Sequence, residues 1–398
     1  MSHLAKLGDL VKVQSGFAFK SKEYSDDGHF LIRISNVQDG FISLDKPKFV
    51  QLDEKTSRFE LREGDVLVSL TGNIGRAARI EHHHLPAALN QRVARLSVKE
   101  KNRISDDYLF WFLSTAEFRD QLSKVGRGVA QQNVSPSAIN DAHIYLPPLP
   151  EQKRIVAILD EAFGAIAKAK ENAQKNLANA RELFESYLNR VFTEKGEGWG
   201  EKTLGDVCTT TQGVQIQKTK QHLEVGENRR RYLYISDFLH DRNLKYVDDI
   251  HPKKLVTPDD LIVVNTGNTA GTIFRGVDGI LSNNLFRVSF DSQNLDSTFL
   301  YYFVTSPPFV DHQKAIVRGT ANPHMGHQNF KSTPFATPHI NVQKQLAFKF
   351  EQMQEYADAL KSTCNQRITA LDELKQSILQ KAFTGQLTAK SPELEAVP

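Results

Sequence analysis

The sequence predicts an α+β protein built from two tandem copies of one unit, in which an α/β domain is followed by a long helix. Three observations predict this. The chain of 398 residues is longer than one hydrophobic core usually organises. Short motifs recur in register about half a chain apart, and each half ends in a heptad-like apolar seam. We expect the two long helices to pair as an antiparallel coiled coil, which would give the chain pseudo-twofold symmetry.

The internal repeat keeps its register at several separate places, while the offset between matching motifs shrinks along the chain. This behaviour indicates two homologous units, the second with small deletions in its loops. The matches are Leu7-Gly8-Asp9 with Leu204-Gly205-Asp206 (offset 197), Thr71-Gly72-Asn73 with Thr266-Gly267-Asn268 (195), Tyr108–Phe112 with Phe299–Phe303 (191), and, also at 191, Gly128 with Gly319, Gln152-Lys153 with Gln343-Lys344 and Phe192-Thr193 with Phe383-Thr384.

The first part of each copy shows the sequence patterns of β-strands followed by that of a helix, which we expect to pack on the strands. The apolar runs Asp65–Leu70 and Leu261–Val264 are strand-like and lead into Gly-Asn turns. The segments 107–122 and 298–310 carry aromatic and aliphatic residues at helical spacing, so we expect one helix in each.

Each copy then continues into a long helix. In the first copy the helix follows the proline-rich stretch Leu146–Pro150, which stops the preceding structure and starts the helix. Apolar residues then recur in steps of three and four from Ile155 to Val191, and again from Val342 to Ile378. The predicted segments are an α/β domain at 1–150, a central long helix at 151–195, a linker at 196–200, a second α/β domain at 201–341, a C-terminal long helix at 342–386 and a tail at 387–398.

The composition excludes several classes of protein. Hydrophobic residues make up 40% and charged residues 24%, which is typical of a folded globular chain. No apolar run is long enough for a membrane span, and the first residues lack the apolar core of a signal peptide, so we expect a cytoplasmic protein. The two cysteines, Cys208 and Cys364, lie far apart in the sequence and do not form a disulfide or zinc pattern. The net charge of +3 is too small to identify a partner.

Two α/β domains on a rigid helical spacer suit a protein that reads a DNA site in two halves, because half-site spacing is then set by protein geometry. Diverged domains would read different half-sites, so the whole site would be asymmetric. The same plan also fits a coiled-coil scaffold with no role on DNA, and the shape alone does not separate the two.

Several motifs of the chain are typical of one protein family. They are the opening Leu7-Gly8-Asp9 with Ser15–Phe19, the strand entry Arg62–Leu67, the turn Thr71–Gly75 and the closing Phe383–Leu387. The most specific motif is the helix entry Leu146–Glu161, which reads LPPLPEQKRIVAILDE, and the second copy replaces it with the eroded His339–Lys344. With these motifs the chain resembles the specificity subunit of type I restriction-modification enzymes over nearly its whole length.

The resemblance implies a non-catalytic subunit that binds double-stranded DNA. Each α/β domain would be a target recognition domain, and the long helices would be conserved regions 1 and 2, which bind two copies of a modification subunit. Those partners would carry S-adenosylmethionine and methylate adenine at N6. A restriction subunit that translocates DNA would use ATP and magnesium. This chain would hold no cofactor and no metal.

The candidate DNA contacts are loop residues whose side chains suit base edges or phosphates. In the first copy they are Lys20, Lys22, Thr71, Asn73, Arg76, Gln91, Arg92, Arg127, Gln131, Gln132 and Asn133. In the second copy they are Gln215, Gln217, Lys218, Lys220, Arg230, Thr266, Asn268, Asn283, Asn284, Arg318, Asn322 and His324.

One segment keeps an enzymatic alternative open. Ser306-Pro307-Pro308-Phe309 resembles the catalytic signature of amino-methyltransferases, in which the Pro-Pro turn and the aromatic ring hold a flipped base. The matching residues in the first copy, Thr115–Phe118, lack the prolines, which favours a helix stop instead. His82-His83-His84 cannot all face one metal ion from a strand, so a solvated loop is expected there. The sequence has no P-loop for ATP hydrolysis.

Overall fold

The structure is a computed structural model that describes residues 4–125, 133–240, 244–267, 269–317 and 324–388. It divides into two compact units. Unit 1 comprises Met1–Ala173 with Gln366–Pro398, and unit 2 comprises Gln174–Asn365. Each unit therefore holds one α/β domain and a portion of both long helices. In the described part of the chain, no helix is both long and apolar enough to cross a membrane.

The described residues of unit 1 form three sheets. Its strands are β1 (Leu4–Lys6), β2 (Val11–Ser15), β3 (Tyr24–Ser25), β4 (His29–Ile32), β5 (Phe49–Val50), β6 (Glu60–Leu61), β7 (Val66–Ser69), β8 (Ala77–Arg79), β9 (Ala87–Leu89), β10 (Val93–Val98) and β11 (His143–Tyr145). Its helices are α1 (Leu7–Leu10), α2 (Asp106–Leu113), α3 (Ala116–Val125), α4 (Pro136–Asp141), the first part of α5 (Leu149–Glu194) and the last part of α11 (Ile340–Phe383). The sheet orders are β2-β10-β7-β8, β3-β5-β4-β9-β6 and β1-β11.

Unit 2 repeats this architecture. Its strands are β12 (Gly200–Thr203), β13 (Cys208–Gln212), β14 (Arg229–Leu233), β15 (Tyr246–Asp248), β16 (Leu255–Val256), β17 (Leu261–Val264), β18 (Ile273–Arg275), β19 (Gly279–Leu281), β20 (Leu285–Phe290) and β21 (Pro334–Thr337). Its helices are the last part of α5, α6 (Leu204–Val207), α7 (Ile235–His240), α8 (Ser297–Thr305), α9 (Pro307–Val317), α10 (His327–Lys331) and the first part of α11 (Ile340–Phe383). The sheet orders are β13-β20-β17-β18, β15-β14-β19-β16 and β12-β21.

The two units share one architecture, which confirms the tandem duplication, although the sheet that contains β4 and β9 has five strands and the sheet that contains β14 and β19 has four. β13-β20-β17-β18 has the order of β2-β10-β7-β8, and both sheets are antiparallel. In the neighbouring sheets, β14 pairs in parallel with β19 as β4 pairs in parallel with β9. The predicted strands in 65–70 and 261–264 are the central strands β7 and β17.

The central strands are buried on both faces because each separates two hydrophobic clusters. In β7, Val66 and Val68 belong to one core while Leu67 belongs to another. In β17, Leu261 and Val263 likewise alternate with Ile262. Successive side chains of a strand point to opposite faces, so an uninterrupted apolar run is what this position requires.

The aromatic segment of each copy forms two short helices, not the single helix expected at 107–122 and at 298–310. In unit 1 the chain bends between α2 and α3, where Thr115 Oγ1 donates to Phe112 O at 2.7 Å. In unit 2 it bends between α8 and α9, where Ser306 Oγ donates to Phe303 O at 2.6 Å. A hydroxyl that takes the carbonyl of the residue three positions earlier competes with the helical hydrogen bond. Apolar spacing continues across this corner and does not reveal it.

The start of each long helix is attached to its domain by a buried glutamine. The Gln152 amide accepts from Ser105 N at 3.0 Å and donates to Pro147 O at 2.8 Å. Gln343 accepts from Asp296 N at 2.9 Å and donates to Pro338 O at 2.8 Å. Because Gln343 makes the same hydrogen bonds as Gln152, the second long helix begins at the equivalent place although its proline-rich entry is eroded.

The two long helices pack together within each unit. In unit 1, Phe163 and Ile166 of α5 share a core with Leu379 and Phe383 of α11, and Lys170 forms an ion pair with Asp372. In unit 2, Leu188 and Phe192 of α5 pack with Ala347 and Phe350 of α11. Within unit 1, later residues of α5 meet earlier residues of α11, so the pairing is antiparallel as predicted. The helices span Leu149–Glu194 and Ile340–Phe383, and the second ends just before Gly385, which has a φ of 75°.

Candidate nucleic-acid interface

In unit 1 several loops meet at one edge of the β2-β10-β7-β8 sheet. The register pairs Ser15 at the end of β2 with Ala94, and Ser69 at the end of β7 with Val93. Isolated bridges add Phe17 against Asn90 and Thr71 against Asn133. Residues 16–22, 70–76 and 90–92 together with Asn133 therefore lie along one edge of the sheet, which we call loop edge 1.

Unit 2 has the same edge on the β13-β20-β17-β18 sheet. Val214 bridges Ser282 as Phe17 bridges Asn90, and Thr266 bridges His324 as Thr71 bridges Asn133. We call residues 213–220, 265–267, 269–272 and 282–284 together with His324 loop edge 2. Most of the candidate DNA contacts in the described part of the chain lie on these two edges.

At each edge a glycine allows two backbone segments to cross in close contact, Gly16 against residues 89–90 and Gly213 against residues 281–282. We call this close contact the strand crossing. A Cβ atom on Gly16 would lie 2.3 Å from Leu89 O, and one on Gly213 would lie 2.0 Å from Ser282 O. Both distances are far below van der Waals contact with backbone atoms that have little room to move. These glycines fix the path of the loops that follow β2 and β13.

The residues of the Thr-Gly-Asn turns determine the path of the backbone and bind each other or nearby loops. Gly72 and Gly267 have φ values of 71° and 95°, a region that side chains disfavour. In unit 1, Thr71 Oγ1 donates to Asn133 Oδ1 at 2.7 Å, so these two predicted residues bind each other. In unit 2, Thr266 Oγ1 lies 3.4 Å from Asn284 Oδ1.

Arg76 is held by groups of its own domain. Its guanidinium donates to Gln38 Oε1 at 2.6 Å and lies 3.7 Å from Asp39, which also binds Arg119 at 2.6 Å. With its amide oxygen turned inward, Asn73 accepts from the same guanidinium at 3.1 Å. These contacts of Arg76 stabilise the turn. The sequence does not reveal them because Gln38 and Asp39 lie in a loop far from Arg76 along the chain.

The remaining described candidates of loop edge 1 present their side chains to solvent. These are Lys20, Lys22, Gln91 and Arg92, and Asn133 is also exposed. Arg127, Gln131 and Gln132 lie outside the described residues.

Loop edge 2 is similarly exposed. Asn283 Nδ2 donates to Gln215 Oε1 at 3.4 Å, which brings two candidate base readers together. The other exposed candidates of this edge are Gln217, Lys218, Lys220, Asn284 and His324. Asn268, Arg318 and Asn322 lie outside the described residues.

Arg230 lies in β14 and not on loop edge 2. Its Nε donates to Asp249 Oδ2 at 2.8 Å, and the hydrogen bond and negative charge of Asp249 raise the pKa of the guanidinium. Its neighbour Arg231 forms a more buried ion pair with Asp237 at 3.1 Å. The arginine run therefore binds acidic residues of its own domain.

Sequence reasoning also missed a polar cluster behind loop edge 2. It is centred on Gln212 and His327, whose side chains meet at 2.7 Å. Burial lowers the pKa of His327, and the nearby Lys331, His324 and Lys254 lower it further. Neither residue lies in a turn motif, so no local pattern marks it.

The Ser306–Phe309 segment is part of the core. Ser306 is fully buried, its hydroxyl is bound to Phe303 O, and the Phe309 ring packs against Phe303 and Phe330. The counterpart Thr115–Phe118 occupies the same helix corner, and Phe118 is also fully buried. A ring enclosed in this way has no free face on which to hold a flipped base.

The three histidines form a short 3₁₀ helix, His82–His84, where a solvated loop was expected. His84 is buried and its Nδ1 accepts from Glu81 N at 2.9 Å, while His82 and His83 are exposed. Burial is the main cause that lowers the pKa of His84. The described residues contain no group of three or more His, Cys, Asp or Glu side chains placed to hold a metal ion.

Comparison with known proteins shows the family of the chain. The family model for the "Type I restriction modification DNA specificity domain" matches the chain twice, at residues 3–176 and 196–370. The chain is 23% identical to the type I restriction enzyme EcoBI specificity subunit of Escherichia coli, with 96% of this chain and 86% of that protein covered. It is 22% identical to the StySPI specificity subunit of Salmonella potsdam, with 97% and 89% covered.

Two solved structures share the fold. A chain from a study of complex assembly and conformational transition of the type I R-M system has a TM-score of 0.76 at 18% identity, covering 96% of this chain and 98% of that one. The crystal structure of the HsdS subunit from Thermoanaerobacter tengcongensis has a TM-score of 0.61 at 19% identity, covering 96% and 97%.

Proposed function

The chain belongs to the family of type I restriction-modification specificity subunits, the non-catalytic subunits responsible for DNA sequence recognition, and we propose that it reads a bipartite, asymmetric site. Each unit would read one half-site with its loop edge. The observation that carries this proposal is that the loop edge occurs twice. In both units a glycine lies at the strand crossing, and a β-bridge joins the turn to a later segment, Thr71 to Asn133 in unit 1 and Thr266 to His324 in unit 2.

The two edges share a frame but differ in the side chains they present. Loop edge 1 carries Asn133 where loop edge 2 carries His324, and Arg76 corresponds to Thr272, since Arg76 O accepts from Ser69 N as Thr272 O accepts from Val264 N. Base edges are distinguished by the donor and acceptor patterns of Arg, Asn, Gln and Lys. A common backbone frame with different polar side chains supports recognition of two different half-sites, and hence of an asymmetric site.

The long helices would recruit the catalytic partners. Specificity subunits of type I systems assemble with methyltransferase and restriction subunits, and we propose two methyltransferase copies, one for each repeat. Apolar side chains such as Leu183, Tyr356 and Leu374 are exposed on α5 and α11, and a partner subunit would cover them. S-adenosylmethionine, ATP and magnesium would be bound by those partners, which would methylate adenine at N6, and the complex would work in the cytoplasm.

Replacing residues 1–150 with the equivalent segment of a relative should change one half of the methylated site and leave the other half as it was. Only loop edge 1 is exchanged, since the residues of loop edge 2 lie in the retained segment. Sequencing that maps methylated adenines in the host genome measures the outcome.

The reciprocal exchange of residues 201–341 is the matched control and should change only the other half. If either exchange altered both halves together, reading by one unit per half-site would be wrong.

The salt dependence of DNA binding distinguishes a DNA-reading subunit from a coiled-coil scaffold without a role on DNA. Lys218 and Lys220 are exposed on loop edge 2. The double variant Lys218→Gln, Lys220→Gln should weaken DNA binding and reduce the slope of log K against log salt by about 0.9 for each phosphate that the variant leaves unneutralised. Titration of duplex DNA with the methyltransferase complex at several salt concentrations measures the slope.

Lys349→Gln provides the control, because Lys349 is an exposed lysine of α11. We expect its slope to equal that of the unmodified protein. Equal slopes for all three proteins would remove loop edge 2 from the DNA interface, and the absence of any salt dependence would favour the scaffold.

A further inference from the structure

Behind loop edge 2, the side chain of Gln212 joins loops that are far apart in the sequence. Its Nε2 donates to Asn283 O at 2.5 Å and to Leu285 O at 3.1 Å. Its Oε1 accepts from His327 at 2.7 Å and from Asn265 Nδ2 at 3.3 Å. Both donors and the acceptor of the amide are therefore used, which leaves the side chain one favourable orientation.

His327 fixes that orientation. Gln212 Oε1 carries no hydrogen, so His327 Nε2 must donate to it, and in the neutral ring Nδ1 then accepts from the Thr210 hydroxyl at 2.7 Å. The imidazole also packs against the Phe286 ring, with centroids 4.4 Å apart. Burial and the neighbouring cations Lys254 and Lys331 lower its pKa, which favours the neutral form near pH 7.

Each partner of Gln212 adjoins a predicted DNA contact. Asn265 precedes Thr266 in the turn, and Asn283 precedes Asn284. His327 begins α10, three residues after His324. Gln212 thus links the turn that contains Thr266, the segment that contains Asn284 and the segment that contains His324. Lys254 Nζ donates a further hydrogen bond to the backbone oxygen of Gln212 at 2.7 Å.

Unit 1 has different residues at the equivalent positions. Ser15 corresponds to Gln212, Leu70 to Asn265 and Pro136 to His327, at offsets of 197, 195 and 191. None of these can reproduce the amide-imidazole pair. Loop edge 1 is braced instead by Arg76 and Gln38, so the two edges are stabilised independently and unit 1 serves as an internal control.

We propose that Gln212, oriented by His327, is a positioning residue that determines base discrimination at the half-site read by unit 2. This inference rests on the proposed function. A well-placed bidentate base contact discriminates against a wrong base by roughly 5- to 150-fold, and this selectivity depends on the relative placement of the reading loops. Loosening Gln212 should therefore reduce discrimination at several positions of one half-site while the site is still bound.

The test uses the full chain assembled with its methyltransferase subunits and duplexes that carry single base changes in either half-site. Gln212→Glu keeps the shape but turns a carboxylate oxygen towards the carbonyls of Asn283 and Leu285. His327→Leu removes both imidazole hydrogen bonds. Both variants should lower discrimination about tenfold at the unit 2 half-site and leave it unchanged at the unit 1 half-site.

Two further variants separate positioning from general loss of structure. His327→Gln retains a donor that can reach Gln212 and should keep discrimination within about threefold of the unmodified protein. Gln328→Ala changes the exposed neighbour and should have no effect. Nitrogen NMR should find His327 protonated at Nε2, and a ring protonated only at Nδ1 would overturn the proposal.

Equal loss at both half-sites, or unchanged discrimination in Gln212→Glu and His327→Leu, would also overturn it. If Gln212→Glu or His327→Leu does not fold, the discrimination measured for the other variant is compared with that of His327→Gln, and a loss only in the former supports the proposal. Failure of the proposed function gives a different result, because the unmodified complex would then show no sequence-dependent methylation with any duplex.

Discussion

Phe350→Ala should lower the free energy of unfolding by about 3–5 kcal/mol, the loss expected when a fully buried phenylalanine is truncated. The Phe350 ring is fully buried where α11 packs on α5 and α8 in unit 2. Its centroid lies 5.8 Å from that of Tyr187, 5.6 Å from that of Phe192 and 5.3 Å from that of Tyr302. Removing the ring leaves a cavity that its aromatic neighbours cannot close. Urea unfolding followed by circular dichroism measures the change.

Phe348→Ala is the matched control, two residues away on the same helix. The Phe348 side chain is 62% exposed. Its removal should change the free energy of unfolding by no more than about 0.5 kcal/mol, as for an ordinary surface substitution. Similar losses for the two variants would mean that α11 does not present Phe350 to the core of unit 2 as described.

Gly213→Ala should destabilise the protein by about 1–3 kcal/mol and strongly weaken recognition by loop edge 2. The added Cβ would lie 2.0 Å from Ser282 O and 2.6 Å from Ser282 C, so one of the two backbones must move. That movement displaces the loop holding Gln215 and the turn holding Asn283. Melting temperature and methylation of each half-site measure the two effects.

Two glycine variants complete this experiment. Gly16→Ala repeats the clash in unit 1, where a Cβ would lie 2.3 Å from Leu89 O, and should affect the other half-site. Gly164→Ala adds a Cβ that meets nothing within 4 Å in the middle of α5, and should stabilise the helix by up to about 1 kcal/mol. A functional loss in Gly164→Ala, or none in Gly213→Ala, would contradict this account of the crossing.

The regular elements were predictable because their signals are local. The heptad seams predicted both long helices to within a few residues of their bounds at Leu149–Glu194 and Ile340–Phe383. The repeat predicted that the two domains share one architecture. The helix corner at Thr115 and Ser306 was not predicted, because apolar spacing continues through it and only a side-chain hydrogen bond breaks the helix.

The candidate contacts divide according to where their partners come from. Lys20, Arg92 and Lys218 were predicted from composition and turn position, and the structure exposes them. Arg76 and Arg230 carry the same chemistry, yet the structure gives each a partner within its own domain, Gln38 and Asp249.

The sequence by itself determined the two-copy plan, the long helices and the family, because periodicity, repeated motifs and turn residues are properties of neighbouring positions. Only the tertiary structure decided which polar side chains face outward and which hold the loops together. Gln212 and His327 are 115 residues apart, and their 2.7 Å contact depends on the register of β13 against β20 and on the start of α10. A hydrogen bond between such distant positions leaves no local pattern in the sequence.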